Sequence, residues 1–273
     1  MALVFRVNGS GGGSSTCADG AWVEGKVGSY ALDFQDDNDH VTMGAANSTA
    51  SNALMPSAGT WACWVKMDTI RTGVIIGHTL PNNSGLNHSM HFIGSRAYSG
   101  NLYFWVNAGD GTNQKLVYNH ATNGGSGYST DTWYHLAMTW PGTVTAQSDV
   151  KIWINGADAT VTASPSYWGG TSFNPAQSKS SREFLLGMGS RLGSGKSTFQ
   201  GKMDEVACWD VELDSGAINS LYNSGNGYAA NNVSSSNLVA YYSFEEGAGN
   251  ATLTDRGSNG YDGTLTMMNT GSC

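Results

Sequence analysis

The chain has 273 residues, of which only 12% are charged, about half of the usual 25%. Its 37 glycines are about twice the usual share, and 11% of its residues are aromatic. The low content of charged residues excludes a helical bundle, and the aromatic content excludes a disordered chain. The net charge of −8 argues against a protein that binds the phosphate backbone of nucleic acids. The composition is typical of an all-β protein with many turns.

Strand signals recur along the chain as short apolar or alternating runs bounded by turn residues. In chain order, these runs are 30–34, 40–43, 61–65, 74–76, 90–93, 101–107, 133–140, 150–154, 184–186, 203–209 and 238–244. Asn155 and Gly156, which follow one of these runs, are a type I′ hairpin signal. We therefore predict an all-β fold, a two-sheet antiparallel sandwich of the jelly-roll type.

One short helix is predicted between the last two strand runs. Asp214 is placed to N-cap it, and Gly225 is placed to end it. Ile218, Leu221 and Tyr222 form an apolar stripe at helical spacing. We expect this helix to plug one end of the sandwich.

Six motifs occur in a fixed order between residues 22 and 223. They are 31–42, 61–66, 133–140, 150–156, 201–206 and 213–223. In this order the chain resembles the laminin-G-like, concanavalin A-like lectin and glucanase jelly rolls, including LamG-like proteins of the phage type. The resemblance implies two antiparallel sheets, one of them concave, with loops that often bind sugars or Ca²⁺.

The chain is divided by composition and by this resemblance into four parts. Residues 1–21 are an N-terminal strand and a Gly/Ser linker, 22–225 are the sandwich, 226–237 are a linker and 238–273 are C-terminal strands. The last part resembles the opening strands of such a domain, so the fold is predicted to be circularly permuted. Because unpaired strands would expose their backbone, 238–273 is expected to close its own sandwich or, as the less favoured alternative, a neighbouring copy.

A pair of catalytic carboxylates would distinguish a glucanase from a binding module. The nearest candidate is the run 202–210, in which period-two alternation places Asp204 on the face of Val206 and Cys208, with no second carboxylate beside it. We therefore expect a protein without enzymatic activity, with glycoside hydrolysis as the disfavoured alternative.

Carboxylate and amide oxygens in two turn-rich segments are candidate ligands for a structural Ca²⁺. The candidates are Asp36, Asp37 and Asp39 in one acidic turn, and Asp255, Asn259 and Asp262 near the C-terminus. Asp204 is added because its counterpart in the family often lies near a metal. The alternative, left equally open, is that these Asp and Asn residues only form Asx turns.

Aromatic residues are the main candidates for binding, because sugars stack on Trp and Tyr rings. Tyr103 and Trp105 alternate away from Leu102 and Phe104, which places them on the predicted concave face. The full candidate set for ligand binding is Tyr103, Trp105, Asn101, Asn107, Asp110, Tyr167 and Trp168. In contrast, Trp64, Trp133 and Trp209 are predicted to pack in the core.

Together these features predict an adhesion or glycan-binding module displayed on a virion surface as a capsid decoration, knob or fibre. The alternative is a purely structural virion protein that binds no glycan. No apolar stretch long enough for a membrane span and no secretion signal is recognised, so we expect synthesis in the cytoplasm and release as part of a virion. The expected partners are glycans or cell-surface polysaccharides, virion proteins bound through residues 1–8, and further copies in a homo-oligomer.

Overall fold

The computed structural model describes residues 21–69, 73–79, 90–94, 102–107, 116–121, 128–162, 174–177, 181–189 and 198–266. For the three segments 90–94, 102–107 and 116–121, it describes the backbone and the strand pairing. The described residues form two antiparallel sheets, as the sequence predicts, and two short α-helices, of which the sequence analysis predicted the second. Among them, no helix is long and apolar enough to span a lipid bilayer.

The strands are β1 (Trp22–Glu24), β2 (Tyr30–Phe34), β3 (His40–Gly44), β4 (Gly59–Met67), β5 (Gly73–Thr79), β6 (Met90–Gly94), β7 (Leu102–Asn107), β8 (Leu116–Ala121), β9 (Trp133–Trp140), β10 (Lys151–Ile154), β11 (Ala157–Asp158), β12 (Thr160–Thr162), β13 (Glu183–Leu186), β14 (Gly201–Trp209), β15 (Leu238–Tyr242), β16 (Thr252–Leu253) and β17 (Gly263–Thr266). The helices are α1 (Thr49–Ala53) and α2 (Ser215–Tyr222).

The eight-stranded sheet has the order β1-β2-β14-β4-β9-β10-β11, and β15 also pairs with β14. The nine-stranded sheet has the order β12-β8-β7-β6-β5-β13-β3-β17-β16. Strands β2 and β15 share one edge of β14, because β2 pairs with Gly201–Met203 and β15 pairs with Val206–Trp209. The residues of β14 between these two stretches therefore lie where its partner strand changes.

A core of apolar side chains fills the space between the two sheets. Trp61 lies near its centre, with its ring edge-on to Trp140 at 5.5 Å and to Phe184 at 4.9 Å. Its indole Nε1 donates to the carbonyl of Leu54, so the ring is buried with its polar atom satisfied. Trp133, which was predicted to pack in the core, is only half-buried.

The outer face of the eight-stranded sheet carries a second apolar cluster beneath α2. Five paired residues cross this face in one row: Trp153, Ala137, Ala62, Ala207 and Tyr241. The three alanines leave room for Ile218 and Leu221 of α2, which are buried against them. The prediction that this helix plugs an end of the sandwich is therefore wrong. Its apolar stripe needs a broad surface, and the small side chains of this row provide one.

The C-terminal segment contributes strands to both sheets. Strand β15 pairs with β14, and β17 pairs with β3. The polar segment 226–237 also packs, since Ala230 and Val233 are buried in the outer cluster and the carbonyl of Val233 accepts from Trp209 Nε1. The region predicted as a linker therefore covers part of the eight-stranded sheet.

Candidate functional site

One face of the nine-stranded sheet brings ring-bearing residues of three strands into register. Trp105 of β7 is paired with His91 of β6 on one side and with Tyr118 of β8 on the other. Two residues along the same strand, Tyr103 is paired with Ile93 and His120. We call His91, Tyr103, Trp105, Tyr118 and His120 the ring face.

The ring face lies on the side of the sheet that is turned away from the core. Phe92 and Phe104, at the alternate positions, are in register with Ile76 of β5, which is buried in the core between the sheets. Because successive residues of a strand belong to opposite faces, Trp105 and its partners belong to the outer face. Asn107 occupies the next position of this face and is paired with Leu116.

Of the seven predicted ligand-binding residues, the structure describes three, and all three share this face. Tyr103, Trp105 and Asn107 follow one another at every second position of β7. The other four, Asn101, Asp110, Tyr167 and Trp168, lie outside the described residues, as do residues 1–8.

Strand β8, which contributes two members of the ring face, is absent from the strand runs predicted from the sequence. Asn119 and His120 are weak strand formers, and pairing with β7 outweighs their local preference. The signal that could have shown this strand is its period of two, with Tyr118 and His120 at alternate positions.

A second notable arrangement is a β-bulge in β14, where the partner strand changes from β2 to β15. Pairing with β4 shifts between Asp204, which is opposite Trp64, and Ala207, which is opposite Ala62. Glu205 has a φ of 52°, a left-handed conformation that is uncommon for a non-glycine residue. The bulge thus lies at the junction of three strands.

The bulge overturns the predicted alternation of β14. Because one extra residue is inserted, Asp204 shares the outer face with Ala207, whereas Val206 and Cys208 belong to the inter-sheet core. The prediction that no second carboxylate accompanies Asp204 is also wrong. Glu205 is the next residue, and Glu245, just after β15, interacts electrostatically with both.

Each of these carboxylates accepts hydrogen bonds from the protein itself. Asp204 Oδ2 accepts from the backbone N–H groups of Lys26 and Val27, at 2.8 and 2.9 Å, and Oδ1 accepts from that of Glu205. Glu245 Oε1 accepts from the backbone N–H groups of Ser29 and Tyr30. The cluster therefore fastens the loop before β2 to β14 and to the end of β15.

Burial changes the acidity of this cluster. It raises the pKa of Asp204 to about 7, against the effect of its backbone hydrogen bonds, and raises the pKa of Glu205 to about 8. The negative charge of Glu245 raises both further. Asp204 is fully buried and Glu205 is 7% exposed, so neither carboxyl group is placed to reach a polysaccharide.

The acidic turn that was predicted as a Ca²⁺ site is closed by its own side chains. Asp39 Oδ2 accepts from the backbone N–H groups of Gln35 and Asp36, at 2.8 and 3.0 Å. Asp37 Oδ1 accepts from the hydroxyl of Thr198. These contacts are those of an Asx-type turn, and the contact of Asp37 joins this turn to the residues just before β14.

The side chains of the second predicted set of Ca²⁺ ligands likewise form hydrogen bonds within the protein. Asp255 accepts from the backbone N–H groups of Tyr241, Gly257 and Tyr261, Asp262 accepts from that of Asp255, and Asn259 donates to the carbonyl of Val239. Asp204 bonds to the 26–27 loop and not to this set. Within the described residues, no group of three or more His, Cys, Asp or Glu side chains could hold a metal ion. A Ca²⁺ ion bound by either set stays a prediction, which the melting temperature with and without EDTA tests.

A family model described as the concanavalin A-like lectin/glucanases superfamily, of the laminin-G type, matches residues 35–219. The chain belongs to this superfamily. The matched range runs from the acidic turn to α2 and includes the ring face and the bulge of β14. No curated protein matches the chain.

Solved structures of several proteins are similar to this superfamily member. A protein of Bacteroides ovatus, described as a candidate carbohydrate-binding protein, aligns over 87% of this chain with a TM-score of 0.55 and 20% identity. This chain spans 58% of that protein, and at such identity the likeness shows the fold alone. The CBM40 module of a Ruminococcus gnavus sialidase, bound to α2,3-sialyllactose, has a TM-score of 0.49 and 12% identity, with 70% of this chain and 96% of the module covered. Tailspike protein 2 of an Escherichia coli O157:H7 bacteriophage has a TM-score of 0.48 and 14% identity, with 80% and 27% covered.

Proposed function

We propose that this protein is a glycan-binding module without enzymatic activity, and that the ring face is its binding surface. The observation that carries the proposal is the register of β6, β7 and β8, which aligns His91, Trp105 and Tyr118 in one row across the sheet. Aromatic rings at adjacent positions are the surface on which the C–H faces of sugars stack.

Membership of a superfamily of lectins and glucanases supports this proposal. The same fold occurs in the B. ovatus protein described as a candidate carbohydrate-binding protein. Fold alone does not specify function, so the residues that this chain places on the ring face carry the proposal.

The absence of enzymatic activity in the proposal rests on the carboxylates of β14. A glycosidase needs one carboxylic acid and one carboxylate on either side of the scissile bond. Asp204 and Glu205 are buried, and their oxygens accept hydrogen bonds from Lys26, Val27 and Tyr241. Their contacts are those of a structural cluster.

A glycan array with the purified protein tests the proposal. We expect the protein to bind at least one glycan and the variants Trp105→Ala and Tyr103→Ala to lose that binding. Tyr228→Ala is the matched control, because Tyr228 is a surface tyrosine that is 45% exposed and lies outside the ring face. Equal binding by Tyr103→Ala and Tyr228→Ala, or release of reducing sugar from the bound glycan, would contradict the proposal.

The proposal has a second part, which is that the protein is displayed on the surface of a virion. It is supported by the low charge and by the Gly/Ser-rich segment after residues 1–8, which suits an anchored unit. Co-sedimentation of the protein with phage particles tests it, with the variant that lacks residues 1–8 as the comparison. If both forms sediment equally with particles, or neither does, anchoring through residues 1–8 is wrong.

A further inference from the structure

The charged residues are distributed very unequally between the two sheets. In the described strands of the eight-stranded sheet, eight residues are charged: Glu24, Asp33, Lys66, Lys151, Asp158, Lys202, Asp204 and Glu205. In those of the nine-stranded sheet, Glu183 of β13 is the only Asp, Glu, Lys or Arg. Strands β5 to β8, which contain and border the ring face, therefore contribute no formal charge except through histidine.

This distribution bears on the kind of glycan that the ring face recognises. Proteins recognise carboxylate and sulfate groups mainly through Arg and Lys, whose charge-assisted hydrogen bonds are strong and often bidentate. The strands of the ring face contain neither residue, and the whole chain has a net charge of −8. The net charge would therefore repel a polyanion at long range. The strands that the polyanion contacts would offer no Arg or Lys to offset this repulsion.

The register also indicates in which direction a polysaccharide would lie on the ring face and how many of its sugar units the row would contact. Neighbouring strands are about 4.8 Å apart, so the row from His91 through Trp105 to Tyr118 spans about 10 Å across three strands. This strand spacing is close to the repeat of one sugar unit in a polysaccharide chain. The next residue of the row is Gly77 of β5, which has no side chain, so the ring-bearing positions end at His91. The row matches about three sugar units.

We infer that the ring face binds an uncharged polysaccharide across β6, β7 and β8 over about three sugar units. The inference rests on the proposed function and adds to it the class and the orientation of the ligand. Stacking and uncharged hydrogen bonds then supply the affinity, and long-range electrostatics contribute little.

Affinity electrophoresis of the full chain tests this inference with two sets of polysaccharides. The uncharged set contains β-glucan, mannan, dextran and galactan, and the acidic set contains alginate, hyaluronan and polysialic acid. We expect retardation by at least one uncharged polysaccharide and by none of the acidic ones. Trp105→Ala should weaken this binding by about 30-fold, as for a central contact residue, and Tyr228→Ala should not change it.

Two further measurements test the nature and the length of the contact. Raising the salt to about 1 M NaCl, where the Debye length is about 3 Å, should change the dissociation constant by less than about two-fold. In a series of oligosaccharides of the retained polymer, the affinity should rise up to about three units and then level off.

The outcomes separate this inference from the proposed function. Retardation by acidic polysaccharides only, a ten-fold loss of affinity in high salt, or equal affinity for a monosaccharide and a trisaccharide would overturn the inference while leaving glycan binding in place. Failure to bind any polysaccharide would overturn the proposed function, and the inference with it.

Discussion

The hydroxyl of Tyr241 donates to the carboxyl group of Glu205, with distances of 2.9 and 2.8 Å to its two oxygens. Tyr241 belongs to β15 in the C-terminal segment, and Glu205 is the left-handed residue of the bulge in β14. The contact therefore joins the C-terminal segment to the point where β14 changes its partner strand. The left-handed conformation of Glu205 costs of the order of 1–3 kcal/mol, and this contact and the hydrogen bonds of Asp204 offset that cost.

The first prediction concerns the pH dependence of stability. The pKa of Asp204 is raised to about 7 and that of Glu205 to about 8, so the folded protein holds protons that the unfolded chain releases near pH 4. The stability that these groups contribute is complete below their unfolded pKa values and is lost as the pH rises through 7 to 8. The free energy of unfolding, measured with urea, should therefore fall between pH 5 and pH 8.

Glu205→Gln provides the sharper form of this test. The amide cannot ionise, so the variant should lose less stability than the wild type between pH 5 and pH 8, by up to about 1.4 kcal/mol per pH unit. Glu24→Gln is the control, because Glu24 is exposed on β1 and outside the cluster. Parallel pH profiles for Glu205→Gln and the wild type would mean that Glu205 is ionised in the folded protein throughout this range.

The second prediction concerns the hydroxyl of Tyr241. Tyr241→Phe leaves the buried carboxyl group of Glu205 without this donor, so it should reduce the free energy of unfolding by about 1–3 kcal/mol. In the background of Glu205→Gln, the same substitution should cost less, because the two side chains act as a pair. Additive effects in this double-mutant cycle would show that the two side chains do not interact.

The third prediction concerns the alanines under α2. Ala137 is fully buried in the outer face of the eight-stranded sheet, so Ala137→Leu should displace the helix and destabilise the protein by about 1–3 kcal/mol. Ala157→Leu is the control, since Ala157 is exposed on β11. Urea denaturation compares the two, and equal stability of both variants would place the helix elsewhere.

The fourth prediction concerns the C-terminal segment. Deletion of residues 238–273 removes the partner of β14 along Val206–Trp209 and the partner of β3 along His40–Thr42. It also removes Ala240 and Tyr242 from the core, so the truncated chain should not fold as a monomer. Size-exclusion chromatography and thermal melting measure this. A soluble monomer with an unchanged melting transition would show that the sandwich closes without this segment.

Period-two patterns and turn residues were sufficient to predict the all-β sandwich, because alternation reflects burial on one face of a strand. The same rule placed Tyr103 and Trp105 on one face of β7, which agrees with the register of the structure. It failed at Asp204, since a bulge changes the phase of alternation and is held by contacts with Lys26, Val27 and Tyr241, which are distant in sequence.

Local pattern by itself thus determined the fold class, the short helix with its Asp214 cap and the alternation along each regular strand. Only the tertiary structure decided which strands are neighbours. Pairing over long sequence distances aligned His91 and Tyr118 with Trp105, and it gathered Asp204, Glu205 and Glu245 at one junction. The physical reason is that a strand's own residues specify which of its faces is buried, whereas its partners are selected by how the whole set of strands packs around one core.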